Sequence, residues 1–313
     1  MRVVFYGNFA VSYSSESHHA AALEELGHEV IRLQEPKVHA DQICETALAA
    51  DLFVWIKTHG WNTPGDMHKT LRRLREAKVP AISYHLDLYM PLRRWAQYKN
   101  DPYLMGLDHF FTVDRLMADW LNQNTPVKGH YHPAGVHGPE CYPAEPTSPH
   151  GNQVVFVGQR NYHPEWPYRP KLIDWLHNVY GNQFTRIAGD TPAGTTRGDE
   201  LNRLYASSKV AVGDTLCPNF DYPDYWSDRV YETLGRGGFL IHPHVPGMER
   251  HFTDGEHLVF YRYGDFDQLR TLINHYLAND EAREQIRKAG QKHVKANHTY
   301  AHRWQSILDT VLA

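Results

Sequence analysis

Pro133, Pro139, Pro143, Pro146 and Pro149 fall between two stretches of chain that carry the same rhythm. On each side, short apolar runs alternate with longer segments whose apolar residues recur at helical spacing. That alternation is how parallel strands joined by crossover helices look in sequence. Proline lacks an amide hydrogen and disfavours the interior of both helix and sheet, so the proline-bearing segment reads as a linker. A chain of 313 residues is comfortable as two domains of about 150 residues each.

The first half reads as strands over residues 2–6, 29–33, 52–57, 79–84, 109–113 and 129–132, with helices over 14–26, 41–50, 66–77 and 117–123. The second half restarts with strands over 153–157, 184–188, 209–213, 239–242 and 257–261. Its helices fall at 170–179, 198–206, 228–234, 265–277, 281–297 and 300–312. The predicted fold class is α/β, with two Rossmann-like domains over 1–140 and 150–298. In such sheets ligands bind beyond the carboxyl ends of the strands, so a cleft between the two halves is expected to hold the site.

A net charge of −4 argues against a surface built throughout for nucleic acid, while leaving room for a local basic patch. No uncharged apolar run reaches the ~18 residues of a membrane span, and the opening MRVVFYG is a strand pattern without a secretory leader, so a cytoplasmic location is expected. Three widely spaced cysteines give neither a disulfide framework nor a paired-cysteine zinc site. His130 and His132 share a strand face near His137, but no carboxylate or cysteine completes a ligand set, so no metal is expected.

The most informative segment is 224–238, DYWSDRVYETLGRGG. A carboxylate near a helix start accepts hydrogen bonds from sugar or ribose hydroxyls, and glycines at the helix end allow a tight return into a strand. With Ser227, Arg229, Glu232, Leu234, Gly237, Gly238 and Phe239, the segment resembles the sugar-nucleotide-binding half of GT-B glycosyltransferases. It looks like the retaining, glycogen-synthase-like group (glycosyl transferase family 1), and within it is similar to the small CgeB-like enzymes. The resemblance implies transfer of a sugar from a UDP- or GDP-sugar co-substrate to a hydroxyl, with no tightly bound cofactor and no metal at the diphosphate. It also implies that residues 299–313 form a helix crossing back to the first domain.

The resemblance carries roles to particular positions. Glu232 matches the glutamate that holds ribose. Asp224, eight residues earlier, stands where the family has glutamate, giving D-x7-E, and would orient the donor sugar. Gly158 and Arg160 in QVVFVGQR, Arg169 at the next helix start and Arg229 would meet the diphosphate, which needs cations and free amides. Gly189 ends another strand on the same side. Gly247, Met248 and Glu249 in HVPGMERHF would offer backbone amides to the donor. In the first half, His85 of AISYHLDLYMP sits where the family places a sugar-contacting histidine, and Asp87 stands one residue after the position of the family's acid.

The acceptor side is read from the residues and, for the histidines, from the resemblance. The loop GNFAVSYSSESHH places Ser15, His18 and His19 at a helix start, where a histidine acts as base toward a hydroxyl in some inverting GT-B enzymes, so the stereochemical outcome stays open. Arg93, Arg94 and Trp95 interleave cations with an aromatic ring, as do phosphate and base contacts. Lys69, Arg72, Arg73, Arg75 and Lys78 form a second basic stretch. A hydroxymethylated base in phage DNA, a glycan and a small molecule all remain open as acceptors. An epimerase-like enzyme on the same architecture and a non-catalytic sugar-nucleotide binder are the alternatives. A dinucleotide-dependent oxidoreductase lacks its G-x-G-x-x-G fingerprint.

Overall fold

Strand β1 (Arg2–Gly7) is buried on both faces from its second residue onward. That is the environment of an interior strand in a parallel sheet covered by helices on both sides. Val4 and Tyr6 enter one core and Val3 and Phe5 the other, following the two-residue side-chain period. In the computed structural model, which describes residues 1–57, 61–146, 153–192 and 194–313, the chain divides into two units. One is Met1–Ala134 with Tyr300–Ala313, and the other is Gly135–Thr299. Pro149 and residue 150, where the sequence places the linker's end and the second domain's start, lie outside the described residues.

In the first unit β1 is followed by α1 (Ser15–Glu25), β2 (Glu29–Gln34), α2 (Ala40–Ala47), β3 (Leu52–Trp55) and α3 (Met67–Glu76). Then come β4 (Ala81–His85), the short α4 (Trp95–Tyr98) and α5 (Pro102–Met105), β5 (His109–Thr112), α6 (Arg115–Asn124) and β6 (Lys128–Tyr131). The strands pair in parallel in the order β2-β1-β3-β4-β5-β6, with Val3 opposite Val30 on one side and Leu52 on the other. Ser14, Asp66 and Asp114 cap α1, α3 and α6 through their side chains, each satisfying a helix-end amide. Helices α4 and α5 have four residues each, too short for a periodic sequence signal.

The second unit runs β7 (Val154–Val157), α7 (Tyr168–Tyr180), β8 (Phe184–Ile187), α8 (Gly198–Ala206), β9 (Val210–Val212) and α9 (Arg229–Gly235). It continues through β10 (Leu240–Pro243), β11 (Val259–Tyr261), α10 (Phe266–Ala278) and α11 (Asp280–Asn297). Its parallel order, β11-β10-β9-β7-β8, is the first sheet's connectivity one strand shorter. In both sheets the strand order reverses beside the first strand, at β1/β3 and at β7/β9, and such a switch point is where α/β sheets bind ligands.

The last helix, α12 (Tyr300–Leu312), packs on α1. Trp304 and Ile307 are fully buried in the core formed with Val3, Phe5, Val54 and Ile82, and Trp304 Nε1 donates to His19 Nδ1 at 3.1 Å. Among the described residues, no helix is long and apolar enough to cross a membrane.

Candidate functional site

In the second unit the carboxyl ends of β7, β9 and β10 gather most of the residues expected to contact the donor. Helix α9 begins at Arg229, and its first turn holds Glu232. The two side chains form an ion pair, Nη1 to Oε2 at 2.7 Å, with both groups mostly shielded. Burial opposes the charge on Arg229, but Glu232, Tyr205 and Asp228 outweigh it and hold the guanidinium above its ordinary range. A positive group and a hydroxyl acceptor are thus placed together before any ligand arrives.

Asp224 lies in the loop before α9, 5% exposed, with a left-handed backbone (φ +60°). Its amide donates to Pro246 O at 2.8 Å, and its carboxylate pairs with Arg250. The turn after β10 is fitted around it. Gly247 is also left-handed, and a Cβ there would stand 2.1 Å from Asp224 Oδ1. The amides this turn was to offer are used within it. Gly247 N–H donates to Glu249 Oε2 at 2.9 Å, Met248 N–H to Val245 O at 3.0 Å, and the Met248 side chain is core.

The predicted phosphate arginines differ in setting. Arg160 makes a two-pronged ion pair with Asp174 of α7, Nε at 3.1 Å and Nη2 at 2.5 Å. Arg169 Nε donates to Asp214 Oδ2 at 2.9 Å, and Trp166 Nε1 donates to the same oxygen at 3.1 Å. Gly158 follows β7, and its carbonyl accepts from Arg186 at 3.3 Å. Gly189 is exposed just past β8.

Asp214 was missed by sequence reasoning. It stands two residues past the end of β9, at the switch point, and burial raises its carboxyl pKa while Arg169 and Trp166 pull it back. The signal was present as Gly213-Asp214 closing the strand pattern at 209–213. A single acid after a strand looks like an ordinary turn residue, and its partner lies 45 positions away.

In the first unit His85 ends β4 and is 2% exposed. Its ring stacks on Tyr89 (4.4 Å between centroids, 15° between planes), and Nδ1 lies 3.2 Å from the Tyr103 hydroxyl. Nε2 makes no hydrogen bond among the described residues and stands 3.9 Å from Asp87 Oδ2. Burial pulls the imidazole pKa down to about 4 against the pull of Asp87, so it is neutral near pH 7. Arg94 completes the group, with Nη1 3.9 Å from Asp87 Oδ2, Nε donating to Leu88 O at 2.8 Å and the guanidinium over Tyr89.

The remaining acceptor-side residues do not join them. His19 is fully buried, packed against Tyr84, Tyr300 and Trp304, so it is a core residue between α1 and α12 rather than a base facing solvent. Ser15 and His18 are half-buried at the start of α1. Trp95 is half-buried and lies edge-on to Trp120 (5.0 Å, 88°). Arg93 is exposed.

Sequence reasoning also missed a buried charged group at the ends of β2 and β3. Lys57 Nζ lies 2.8 Å from Asp101 Oδ2. Glu35, fully buried, accepts from Trp55 Nε1 at 3.4 Å. Burial pushes the Glu35 carboxyl up to about 7, with the Trp55 bond and Lys57 opposing and Glu16 and Asp101 adding to the rise. Among the described residues no group of histidines, cysteines and acids could hold a metal ion.

A family model described as "Glycosyl transferase-like" matches residues 151–309. No curated protein matches the chain in sequence. Among solved structures, the chain is similar to Anabaena HepE in complex with UDP and glucose (13% identity, TM-score 0.66, 100% of each chain covered). It is also similar to an α-glucosyltransferase in complex with UDP-glucose and DNA containing an abasic site (8%, TM-score 0.68, 100% of each chain). A third likeness is to sucrose-phosphate synthase from Thermosynechococcus elongatus (12%, TM-score 0.60, 100% of this chain and 99% of that one). At these identities the likeness is one of fold.

Proposed function

Because the chain belongs to the glycosyl transferase-like family, we propose that it transfers a hexosyl group from a UDP-sugar to an acceptor hydroxyl with retention of anomeric configuration. The observation that carries this reading is the shielded Arg229–Glu232 pair at the start of α9, beside the carboxyl edge of the second sheet. Glu232 accepts the ribose hydroxyls in this reading. Arg229 and Arg169 carry the charge that develops as the bond from the anomeric carbon to the phosphate oxygen breaks and the diphosphate leaves with the electron pair. The acceptor oxygen bonds to the anomeric carbon on the face the diphosphate leaves, and its proton passes to the departing phosphate oxygen. Asp224 orients the sugar. Within the first unit, the neutral imidazole Nε2 of His85 serves as hydrogen-bonding partner to a substrate hydroxyl, with Asp87 and Arg94 fixing its surroundings.

UDP as the nucleotide is supported by the likeness to HepE and to the α-glucosyltransferase, both solved with it. The latter's α-linked product class supports retention. Cys44, Cys141 and Cys217 are buried free thiols, which fits a reducing cytoplasm. A nucleic-acid acceptor is supported by the exposed Lys69, Arg72 and Arg73 of α3 and by the likeness to an enzyme solved with DNA. A saccharide acceptor is supported by the likeness to sucrose-phosphate synthase.

The test is incubation of the purified protein with UDP-glucose and a panel of other nucleotide sugars, alone and with hydroxymethylated DNA, and mass analysis of the products. Release of UDP together with a glycosylated acceptor supports the proposal. An isomerised sugar identifies an epimerase instead, and binding without release of UDP identifies a non-catalytic binder.

A further inference from the structure

Three side chains at the end of β4 form one hydrogen-bonded line. Ser83 and His85 leave the same face of that strand, and Tyr103 of α5 meets both. The Ser83 Oγ lies 2.6 Å from the Tyr103 hydroxyl, and the same hydroxyl lies 3.2 Å from His85 Nδ1. The Lys57 main-chain amide bonds to the phenol oxygen as well. Ser83 and Tyr103 are fully buried and His85 nearly so, so each hydrogen has to find its acceptor within the protein.

One arrangement of the hydrogens satisfies them all. An amide N–H only donates, so the phenol oxygen accepts from Lys57. Among the described residues Ser83 Oγ bonds to Tyr103 alone, so the serine hydrogen also goes to the phenol and fills its second lone pair. The phenol's own hydrogen is then left for His85 Nδ1. Burial holds the Tyr103 pKa above its usual range, with the Ser83 and Lys57 bonds opposing, so that hydrogen is present at neutral pH. In the reverse order, with Nδ1–H donating to the phenol and the phenol to Ser83, the serine hydrogen would be buried without an acceptor.

The other edge of the ring favours the same order. Asp87 Oδ2 stands 3.9 Å from Nε2. That is too far for a hydrogen bond, yet near enough for the carboxylate to prefer an N–H over a lone pair facing it. Stacking on Tyr89 at 15° and edge contact with Tyr103 at 74° hold the plane in which both edges are presented.

We infer that Ser83 and Tyr103 are positioning residues that fix His85 as the Nε2–H tautomer, making its outer edge a hydrogen-bond donor and not a base. The bond made at one imidazole nitrogen decides the role of the other. His85 then offers a hydrogen and Asp87 an acceptor, so the pair reads a hydroxyl, which accepts from Nε2 and donates to the carboxylate. This functional half rests on the proposed contact between His85 and a substrate hydroxyl; the tautomer does not.

The test labels the histidines of the full chain with a nitrogen isotope and records long-range proton–nitrogen correlations of the imidazole rings at neutral pH. Loss of one ring's signals in His85→Gln picks His85 out of the 22 histidines. The expected pattern is a single tautomer, with Nε2 protonated and Nδ1 an acceptor. Tyr103→Phe should move the Nδ1 resonance toward that of an unbonded ring nitrogen and lower kcat/KM for sugar transfer about tenfold. Ser83→Ala should move the resonance the same way by less, and serves alone if Tyr103→Phe does not fold. A protonated Nδ1 in wild type, or an Nδ1 resonance indifferent to both substitutions, overturns the inference. So does unchanged kcat/KM in Tyr103→Phe where His85→Gln is impaired. Wild-type kcat/KM in folded His85→Gln, with the tautomer as expected, would instead refute the contact between His85 and substrate and leave the tautomer standing.

Discussion

The carboxylate of Asp224 occupies the space that a side chain at position 247 would need: a Cβ on Gly247 would stand 2.1 Å from Asp224 Oδ1 and 2.6 Å from Arg250 Nη2. The loop before α9 and the turn after β10 are therefore one unit, built around a missing methyl group. Gly247→Ala is expected to lose at least about 2 kcal/mol of stability, from the clash and the left-handed backbone together. Gly255 has φ +72° and no neighbour within 4 Å of its Cβ position, so Gly255→Ala pays for backbone alone, about 1 kcal/mol. Chemical denaturation of the two variants separates the contributions, and equal losses would mean Asp224 moves aside at no cost.

Arg229 is the positive member of a shielded pair. Arg229→Met removes the charge while keeping much of the volume, and leaves Glu232 without its cation. A loss of about 1–3 kcal/mol is expected, together with a fall in turnover larger than the fall in UDP affinity, because the charge on the leaving diphosphate grows during the reaction. A parallel fall in both would place Arg229 in ground-state binding only.

Two buried groups set opposite slopes of stability with pH. Glu35 has its folded pKa raised from 4.5 to about 7, so the folded state holds a proton that the unfolded chain has released. Stability from this group is present below about pH 4.5 and declines as pH rises through 7, by about 3 kcal/mol in all. His85 is the reverse, with a folded pKa near 4 against 6.5, and its contribution is present above 6.5 and lost as pH falls through 4. His132 and His242, lowered to about 3 and about 4 by burial, act in the same direction. In urea denaturation across pH, Glu35→Gln should remove the decline between about pH 4.5 and 7, so that stability rises more steeply with pH over that window, and leave the histidines' loss toward acid intact. An unchanged profile between pH 4.5 and 7 would show that Glu35 is ionised in the folded protein.

Much of the fold was legible because the apolar period is strong. The helix read over 198–206 and that read over 300–312 coincide with α8 and α12, and every strand read from sequence has its counterpart. Boundaries slipped where backbone geometry intervened. The strand read from residue 79 begins at Ala81, because Val79 N–H still closes the end of α3 on Leu74 O and Lys78 takes the left-handed position itself. The site was legible where neighbouring residues carry it, as in Arg229 and Glu232 on one helix turn. It was hidden where partners are distant in sequence, as in Arg169 with Asp214 or Lys57 with Asp101. His19 looked functional by its polar neighbours, but its burial against Tyr84, Tyr300 and Trp304 decided otherwise.

The burial of Trp304 against His19 makes α12 part of the first unit's core. Trp304→Ala should cost about 3–5 kcal/mol, and His19→Gln should lower stability while leaving turnover per folded molecule near wild type. Comparing melting temperature with activity normalised to folded protein checks this. A large loss of turnover in a fully folded His19→Gln protein would restore His19 to the reaction.

The central claim is that Glu232, paired with Arg229 on α9, is the hydroxyl acceptor for the nucleotide's ribose. Calorimetric titration of UDP into wild type and Glu232→Gln, at a temperature where both are folded, tests it most directly. The amide keeps the shape but donates where the carboxylate accepts, so UDP affinity should fall by about tenfold or more. UDP binding to Glu232→Gln with wild-type affinity would contradict the assignment, and with it the placement of the nucleotide at α9.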